Sequence, residues 1–553
     1  MSSLAAADRA RGADPAGDHN VADLFGAIAG AVGDRECIVA GPRRLTWAEV
    51  DERTDRLAGV LAERGLGLHG EVTGGPGWAS PHDHVGLYLH NAPEYLEGML
   101  GAWKARCVGV NINHRYVAGE LAHVLGDCRA AAVVYHAAFA PTLAEVLPRV
   151  SSVRLLLQVD DGSGTPLLPG ALDYGEALAA STHRCAGPRS PDDRYVLYTG
   201  GTTGAPKGVV WRQGDFVATC LGVTGSHGSI VDAARRRSGL RTLPSAPFMH
   251  GAAHWNALSA LLAGGTVVIP DRPRHYDPAD VLATCERERV TALQVVGDPF
   301  ARPLLDEMDR RRYDLSRLRH LLSGGAVLSP TVKAALAERL PQVRIVDVLG
   351  SSESGRQAIA GAASGFRPSA TTHVVSADRR RRLEPGEPEV GWLAQAGRVP
   401  LGYLGDPERS AATFPVIDGS RHAVAGDRAR LAADGTIEFL GRDSATINTG
   451  GEKVFAEEVE QAVGSHPAIA DAVVTSRPSE RWGNEVVAVV QLRTGHERPS
   501  DDELRDHCRA LIAGYKLPKA FCYVDRVVRS PAGKADYRWA RGIATSRPSS
   551  AAR

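Results

Sequence analysis

Apolar residues follow two patterns along this chain: helical spacing in some segments, and the uninterrupted runs that are typical of buried strands in others. Helical spacing predicts a helix over residues 47–64, and uninterrupted apolar runs predict strands over 85–89 and 132–135. The same two patterns return further on, where apolar runs predict strands at 266–269, 292–296, 320–323 and 344–349. Helical patterns lie between these runs, and such alternation is typical of parallel β-α units.

The remaining segments follow other patterns. From 372 to 440 the apolar runs are short and separated by turns, which predicts a small β subdomain. From 442 onward helices at 456–463 and 502–512 alternate with strands at 470–475 and 486–492. We therefore predict an α/β fold: a large N-terminal domain of two α/β subdomains plus a small β subdomain, followed by a smaller, mobile α+β C-terminal domain. The predicted bounds are 21–441 and 442–545, with loose tails at 1–20 and 546–553.

Composition narrows the function classes. Of the 553 residues, 43% are hydrophobic and 23% are charged, which is ordinary for a globular protein. Lys+Arg and Asp+Glu balance at 64 each, so no strong field favours nucleic acid as a partner. No apolar run approaches the ~20 residues that a membrane span needs, and the start of the chain lacks the apolar stretch of a signal peptide. The eight cysteines form no C-x-x-C pair, which favours a reduced, cytoplasmic protein.

The segment that follows the strand-like run 195–198 is the most informative. From Thr199 to Gly208 it contains four Gly, three Thr and one Lys. Glycine lets a backbone approach an anion closely, and successive N–H groups can converge on phosphate oxygens. The spacing differs from G-x-x-x-x-G-K-[ST], the P-loop of nucleotide hydrolases. We predict a phosphate cradle made by Thr199, Gly200, Gly201, Thr202, Thr203, Gly204 and Lys207.

Two further candidate nucleotide-binding segments follow predicted strands. Gly324, Gly325 and Ala326 come after one strand, where glycine lets a flat ring or a backbone come close. The next strand runs into Leu349, Gly350, Ser351, Ser352 and Glu353. A carboxylate beside hydroxyls suits Mg²⁺, which takes oxygen ligands and bridges phosphates.

The segment 247–255 mixes apolar bulk with His250 and His254. Histidines four residues apart can bind zinc, but no third ligand is evident in the sequence. We favour a substrate pocket in which Phe248, Met249 and Trp255 supply apolar walls and His250 and His254 supply polar groups. A buried, purely structural His254 is the alternative.

These motifs together resemble the adenylate-forming superfamily, which contains acyl-CoA synthetases, peptide-synthetase adenylation domains and luciferases. The resemblance runs in the family's order from Tyr198 to Lys534. Within the superfamily, the segments 198–204, 248–253 and 447–455 most resemble actinobacterial acyl-CoA synthetases of the fatty-acid or sterol side-chain type.

The resemblance implies a role for each matched residue of the large domain. Lys207 and the Gly/Thr loop would hold phosphates, and residues 324–326 would lie against adenine. Glu353 would bind Mg²⁺ and Ser352 would contact the α-phosphate. Asp427 would hold the ribose hydroxyls, and Arg442 would contact ribose or phosphate.

Further matches fall in the C-terminal part. Ser444 would be the pivot between the domains, and Gly450 and Gly451, followed by Lys453, would form the tunnel for the pantetheine arm of CoA. Lys534, after Pro531, would reach the carboxylate and the α-phosphate together and stabilise the developing negative charge.

Three departures from the family pattern stand out. Leu349 replaces the Tyr or Phe that stacks on adenine, and stacking on a base contributes ~1–3 kcal/mol. Ser444 stands where Asp or Lys is more frequent, and Ala456 where Pro is usual. The first departure places the efficiency of adenylation in question.

The sequence therefore supports three hypotheses. The first is an acyl-CoA ligase that joins a bulky apolar carboxylic acid to CoA through an acyl-adenylate, with ATP/AMP, Mg²⁺ and coenzyme A as cofactors. The second is a ligase impaired in adenylation that only converts a preformed acyl-adenylate to the thioester. The third is a non-catalytic acyl- or nucleotide-binding protein. We also consider it a hypothesis that the protein forms a homodimer.

Overall fold

The computed structural model describes residues 18–73, 75–183, 185, 187, 189–199, 206–360, 366–449, 452–479, 483–530 and 533–546. Within these residues no helix has the length and apolar content needed to cross a bilayer. Helices and strands are numbered below in chain order.

The first part of the chain builds a parallel sheet of five strands. Its elements are α1 (Val21–Val32), β1 (Glu36–Ala40), β2 (Arg43–Thr46), α2 (Trp47–Glu63), β3 (His84–Tyr88), α3 (Pro93–Lys104), β4 (Val108–Asn111), α4 (Ala118–Asp127), β5 (Ala130–His136), α5 (Ala140–Val146), β6 (Leu155–Val159), β7 (Leu172–Asp173) and α6 (Tyr174–Ala180). The strand order is β4-β3-β5-β6-β7. Strands β3, β4 and β5 are buried along their whole length, which explains their uninterrupted apolar runs.

The next part contributes a second, larger sheet. Its elements are β8 (Arg194–Thr199), β9 (Lys207–Arg212), α7 (Gln213–Thr219), α8 (His227–Arg236), β10 (Arg241–Pro244), α9 (Gly251–Leu262), β11 (Thr266–Ile269), α10 (Pro278–Arg287), β12 (Ala292–Val295), α11 (Gly297–Arg310), β13 (His320–Gly324), α12 (Pro330–Arg339), β14 (Arg344–Ser351), β15 (Gly355–Ala360) and β16 (Arg367–Pro368). The sheet order is β16-β15-β14-β13-β12-β10-β11-β1-β2.

The second sheet recruits two strands from the start of the chain. Strand β1 pairs in parallel with β11, and β2 closes the edge as an antiparallel neighbour of β1. The sequence analysis did not identify β1 and β2 as strands of the second sheet. Local periodicity identifies a strand but carries no information on a parallel partner more than 200 residues away.

The predicted β subdomain follows. Its elements are β17 (Thr372–Val375), β18 (Gly391–Ala396), β19 (Gly402–Tyr403), α13 (Pro407–Thr413), β20 (Val416–Ile417), β21 (Ser420–Ala423), β22 (Asp427–Leu431) and β23 (Ile437–Arg442). Strands β20-β21-β18-β22-β23 lie in that order, and β17 also pairs with β18. Strand β19 leaves this sheet and pairs with β9, which forms the separate sheet β19-β9-β8.

The C-terminal part forms a smaller α+β unit. Its elements are β24 (Thr446–Thr449), β25 (Glu452–Phe455), α14 (Ala456–Gly464), β26 (Ile469–Ser479), β27 (Gly483–Leu492), α15 (Asp501–Arg509), β28 (Ala520–Val524) and α16 (Tyr537–Ser546). The sheet β26-β27-β28 has an apolar cluster on each face, and both clusters consist of residues from this part of the chain. The predicted α/β fold with a smaller α+β C-terminal domain therefore agrees with the structure.

Candidate active site

The predicted phosphate loop connects two antiparallel strands. Thr199, the last residue of β8, pairs with Lys207, the first residue of β9. The loop residues Gly200, Gly201, Thr202, Thr203 and Gly204 lie outside the described residues. A loop that closes a hairpin differs from the P-loop of nucleotide hydrolases, which leads from a strand into a helix.

Lys207 and Glu353 are joined through the side chain of Tyr403. The ammonium of Lys207 lies 4.2 Å from the centre of the Tyr403 ring, which suits a cation–π contact. The Tyr403 hydroxyl donates to Oε1 of the buried Glu353 at 3.0 Å. Burial lowers the pKa of Lys207, and the nearby Glu353 carboxylate acts in the opposite direction. Tyr403 therefore orients both the cation and the carboxylate, a role that the sequence did not predict.

Serine side chains shape the turn that carries Glu353. Ser354 is fully buried, and its Oγ contacts Ser351 Oγ at 2.9 Å and donates to Oε1 of Gln357 at 2.9 Å. The carbonyl of Ser352 accepts a hydrogen bond of 3.0 Å from the indole of Trp211 on β9. These bonds tie the turn between β14 and β15 to the strand that begins at Lys207.

The half-buried Leu349 precedes this turn on β14. Its side chain packs against the apolar cluster of the β subdomain, which contains Val374, Leu383, Leu393, Ala429 and Ile437. Gly350 is tightly enclosed, because a Cβ there would lie 2.2 Å from the carbonyl oxygen of Gly355. Whether the aliphatic Leu349 lowers the affinity for adenine stays a prediction.

The segment 324–326 lies at the carboxyl end of β13. Gly325 has φ +93°, in the left-handed region that glycine adopts most readily. The backbone of Ala326 and Val327 touches Gly297, where a Cβ would lie 2.4 Å from the Val327 carbonyl oxygen. The segments that follow β12 and β13 therefore pack backbone against backbone at this sheet edge.

Asp427 and Arg442 face each other across strands β22 and β23. They are register partners, and Nε of Arg442 lies 3.2 Å from Oδ1 of the buried Asp427. The Asp427 carboxylate is the main reason that the pKa of Arg442 is raised. The backbone N–H of Arg442 donates to Oε1 of Glu457 at 3.3 Å. Glu457 belongs to α14, so this bond connects the end of the large domain to the small one.

Lys534 reaches this group of charges from the C-terminal domain. The residue is exposed to solvent, but the surrounding protein lowers the pKa of its ammonium. Arg442 acts in the same direction, whereas Glu353 and Asp427 oppose it. The charges of Arg442, Glu353 and Asp427 are therefore near enough to act on the Lys534 ammonium, and the role of Lys534 at the site stays a prediction.

Close contacts between the domains accompany this arrangement. Gly533 precedes Lys534 with φ +71°, and a Cβ there would lie 3.3 Å from the Val296 side chain. Arg302 on α11 donates to the carbonyl of Gly464 at 3.2 Å, and Arg493 lies 3.6 Å from Asp306. The C-terminal domain is therefore seated against the segment 296–306 of the large domain.

The two histidines of segment 247–255 have different surroundings. His254 is fully buried; its Nδ1 contacts the Phe248 carbonyl at 2.7 Å and its Nε2 contacts the Tyr195 hydroxyl. His250 precedes α9, and its buried Nε2 has no partner among the described residues. Burial lowers the pKa of His250 to about 3, and Lys534 and His114 contribute to the same shift. The buried contacts of His254 are those expected of a structural residue, and His250 is near enough to Lys534 for the ammonium to act on its pKa.

The apolar residues of this segment also differ in exposure. Phe248 and Met249 are buried, and Trp255 is half-buried with its indole donating to the Tyr195 hydroxyl at 2.7 Å. Their contact with a substrate stays a prediction. Among the described residues no group of three or more His, Cys, Asp or Glu side chains could hold a metal ion, which leaves the zinc alternative without support.

Two asparagines that the sequence did not single out hold the site to the first sheet. Asn111, at the end of β4, donates to the carbonyls of Tyr198 and Met249 at 2.8 and 2.7 Å. Asn91 donates to the Ala246 carbonyl at 2.9 Å and accepts from the Phe248 N–H at 2.6 Å. Both are buried, and their position at or near the carboxyl ends of buried strands was the available signal.

The predicted hinge and tunnel residues follow β23. Ser444 lies in a 3-10 helix, Asp443–Ala445, between β23 and β24. Lys453 belongs to β25 and is the backbone partner of Asn448. Gly450 and Gly451 lie outside the described residues.

Comparison with known proteins identifies the family. The profile of the AMP-binding enzyme family matches residues 26–397, and that of the AMP-binding enzyme C-terminal domain matches residues 458–534. The chain therefore belongs to the family of AMP-binding enzymes. The predicted resemblance to adenylate-forming enzymes is confirmed.

Individual relatives have similar length. The chain is 49% identical to the medium-chain acyl-CoA ligase Mig of Mycobacterium avium over 530 residues, covering 93% of this chain and 96% of that one. It is 37% identical to the 3-oxocholest-4-en-26-oate–CoA ligase of Rhodococcus rhodochrous over 554 residues, covering 96% of each. The fold is similar to that of the anthranilate CoA ligase AuaEII, solved with anthranoyl-AMP, with a TM-score of 0.81 at 20% identity over 96% of this chain and 99% of that one.

These findings decide between the three hypotheses. The prediction of an acyl-CoA ligase is confirmed at the level of enzyme class, and the fold class is confirmed as well. ATP or AMP and CoA are substrates of the family. The hypotheses of a ligase impaired in adenylation and of a non-catalytic binding protein have no support from the relatives.

Proposed function

We propose that this protein joins a bulky apolar carboxylic acid to CoA through an acyl-adenylate. In the first step the carboxylate attacks the α-phosphate of ATP and pyrophosphate leaves. In the second step the thiol of CoA attacks the acyl carbon and AMP leaves. The names of the relatives, a medium-chain acyl-CoA ligase and a sterol-acid CoA ligase, favour an aliphatic or sterol side-chain acid.

The first step needs cations and donors around the phosphates. Lys207, at the base of the phosphate loop, and Lys534, from the small domain, would offset phosphate charge from two sides. Asp427 would accept hydrogen bonds from the ribose hydroxyls, and Arg442, held 3.2 Å from Asp427, would contact ribose or phosphate. Ser352 would donate to the α-phosphate.

The residues present fit a magnesium ion. Mg²⁺ is usually held by one or two carboxylates together with substrate phosphates, rather than by a cage of protein ligands. Glu353 offers one such carboxylate, oriented by the Tyr403 hydroxyl at 3.0 Å. Bound there, the ion would neutralise charge on the phosphates of ATP.

The second step needs a path for the thiol. Lys534 would leave the site by a rotation of the C-terminal domain, with the pivot at Ser444 between β23 and β24. Gly450, Gly451 and Lys453 would then line the path of the pantetheine arm, since glycine places no Cβ in its way. A homodimer and a cytoplasmic location stay predictions.

One observation carries the proposal: the charges of Glu353, Asp427 and Arg442 of the large domain act on the Lys534 ammonium of the C-terminal domain. In this arrangement a lysine from one domain approaches two carboxylates of the other, one of them proposed to bind ribose. Such a lysine can stabilise negative charge that develops at a phosphate. An isolated nucleotide-binding fold would not need it.

Paired half-reaction assays test the proposal. Pyrophosphate release from ATP with medium-chain and sterol-type acids measures the first step, and thioester formation from a synthetic acyl-adenylate measures the second. Lys534→Ala should slow the first step by ~10²–10³-fold and change the second little. The control is Lys516→Ala, because Lys516 is paired with Glu458 at 2.5 Å within the small domain. Equal loss in both steps, or no pyrophosphate release by the wild type with any acid, would contradict the proposal.

A further inference from the structure

The order of the strands in the first sheet creates a crevice. The chain forms β3, places β4 on one side of it and then β5 on the other, which gives the order β4-β3-β5-β6-β7. Where the strand order reverses in an open parallel sheet, ligands bind in the crevice outside the carboxyl ends of the strands. The residues at those ends are therefore candidates for ligand contact.

Three histidines occupy these carboxyl ends. His90 lies just after β3, His114 just after β4, and His136 is the last residue of β5. The ring centres of His90 and His114 are 4.5 Å apart, and those of His90 and His136 are 5.7 Å apart. Phe139 completes the cluster, with its ring centre 4.8 Å from that of His90. We call His90, His114, His136 and Phe139 the imidazole cluster.

Several histidine ring nitrogens in and near the imidazole cluster have no hydrogen-bond partner among the described residues. Nδ1 of His136 has a partner, because it accepts a hydrogen bond of 3.0 Å from the backbone N–H of His90. Nδ1 of His90 and Nδ1 of His114 are buried with no partner among the described residues, and so is Nε2 of His250. Buried polar atoms nearly always have a partner, so these nitrogens are available to hydrogen-bond with water or with a bound ligand.

The chemistry of such a ligand follows from the state of the rings. Burial lowers the pKa of His90 to about 4 and that of His114 to about 3, so both are neutral near pH 7. A neutral imidazole offers one donor and one acceptor and no charge. In the part of the chain that the structure describes, these rings belong to no group with metal-binding geometry. The cluster therefore suits uncharged hydrogen-bonding groups.

The imidazole cluster lies close to the segment that carries His250. His114 and Lys534 are both near enough to His250 to act on the pKa of its ring. Asn91 and Asn111, from the same two strand ends, hydrogen-bond to residues 246, 248 and 249. The strand ends that carry His90 and His114 are therefore hydrogen-bonded to the segment that leads to His250.

We propose that His90 and His114, together with His250, bind amide, keto or hydroxyl groups on a substrate arm that runs along this sheet edge. The inference rests on the proposed ligase function. Two arms of that reaction carry such groups: an acyl chain that bears oxygen, and the pantetheine arm of CoA with its amides and hydroxyl. Both arms share the chemistry that neutral imidazoles recognise.

The test uses full-length His90→Phe and His114→Phe variants, which keep a ring and remove the nitrogens. In the first half-reaction, pyrophosphate release is compared for two acids of equal length, one saturated and one bearing a keto or hydroxyl group. In the second, the KM for CoA is measured with a presynthesised acyl-adenylate. Loss of one neutral hydrogen bond should change the affected quantity by about tenfold. His114→Asn should restore part of it, because the amide lies near the place of Nδ1.

The two half-reactions distinguish an oxygen-bearing acyl chain from the pantetheine arm of CoA as the group bound by the imidazole cluster. A lost preference for the oxygen-bearing acid assigns the site to the acyl chain, whereas a raised KM for CoA assigns it to pantetheine. The control is His373→Phe, a half-buried histidine beside His422 in the β subdomain. Unchanged values in both variants, with thermal midpoints equal to that of the wild type, would overturn the inference, and so would equal effects of His373→Phe. Failure of the ligase reaction in the wild type would instead refute the proposed function.

Discussion

Tyr403 makes two contacts that can be removed separately. Its ring carries the ammonium of Lys207 at 4.2 Å, and its hydroxyl donates to Glu353 at 3.0 Å. Tyr403→Phe removes the hydroxyl and keeps the ring, whereas Tyr403→Leu removes both contacts. We expect both variants to weaken the productive binding of ATP with Mg²⁺, and Leu to weaken it more.

The size of each effect can be estimated from the contacts. A hydrogen bond to a charged group contributes ~1.5–3 kcal/mol, which corresponds to a change of about 10- to 150-fold. Glu353 is buried, so few water molecules can replace the lost donor, and the upper half of this range is expected. The cation–π contact adds ~0.5–2 kcal/mol, so Tyr403→Leu should lose a further factor of about 2 to 30.

The assay is kcat/KM for ATP in acid-dependent pyrophosphate release, at saturating acid and Mg²⁺. Tyr313→Phe is the matched control, because the Tyr313 hydroxyl donates to Glu307 at 2.6 Å outside the site. Thermal midpoints exclude misfolding as the cause. An unchanged kcat/KM in Tyr403→Phe, or a loss as large in Tyr313→Phe, would refute the assignment of Tyr403 as the residue that positions Glu353.

Three further outcomes follow from the structure. His254→Leu should lower the free energy of unfolding by ~2–4 kcal/mol in urea titrations, because it removes the buried contacts of His254 with the Phe248 carbonyl and the Tyr195 hydroxyl; a loss below ~0.5 kcal/mol would count against this role. Leu349→Phe should lower the KM for ATP if the new ring stacks on adenine, and an unchanged KM would remove the stacking argument. Stability should fall on acidification from about pH 6.5 to pH 4. Burial lowers the pKa of His84 and His254 to about 4 in the folded protein, so in this window these two histidines take up protons only in the unfolded chain. The slope is at most ~1.4 kcal/mol per pH unit and histidine, and it should be smaller in His254→Leu.

Buried strands were predictable because their sequence signal is local. The apolar run 266–269 is strand β11 as observed, and the run 132–135 lies inside β5, Ala130–His136. The helix predicted over 47–64 is α2, Trp47–Glu63, where Thr46 and Glu49 form a capping box. Burial on both faces demands a continuous apolar run, and a cap demands specific residues at fixed spacing, so both are readable in one window of sequence.

The supporting residues of the site were not predictable in the same way. Asn111 bonds to Met249, 138 positions away, and Tyr403 bonds to Glu353, 50 positions away. A lone Asn or Tyr has no periodicity, and its partner is chosen by the packing of distant strands. The motif residues were recognisable because a phosphate imposes short spacings on the loop that binds it, whereas the residues that orient them are constrained only in three dimensions.

The position of Lys534 defines which step the observed domain orientation serves. Glu353, Asp427 and Arg442 act on the pKa of the Lys534 ammonium in this orientation, so the role that we propose for Lys534 assigns the orientation to the first step. The polar contacts that hold it include the Arg302–Gly464 hydrogen bond and the partly exposed Arg493–Asp306 pair. Exposed ion pairs contribute only ~0–1 kcal/mol, so breaking this pair costs little. The Arg493–Asp306 pair is therefore weak enough to be exchanged when the domain turns, and the separate apolar core of the C-terminal domain would let it move as a unit.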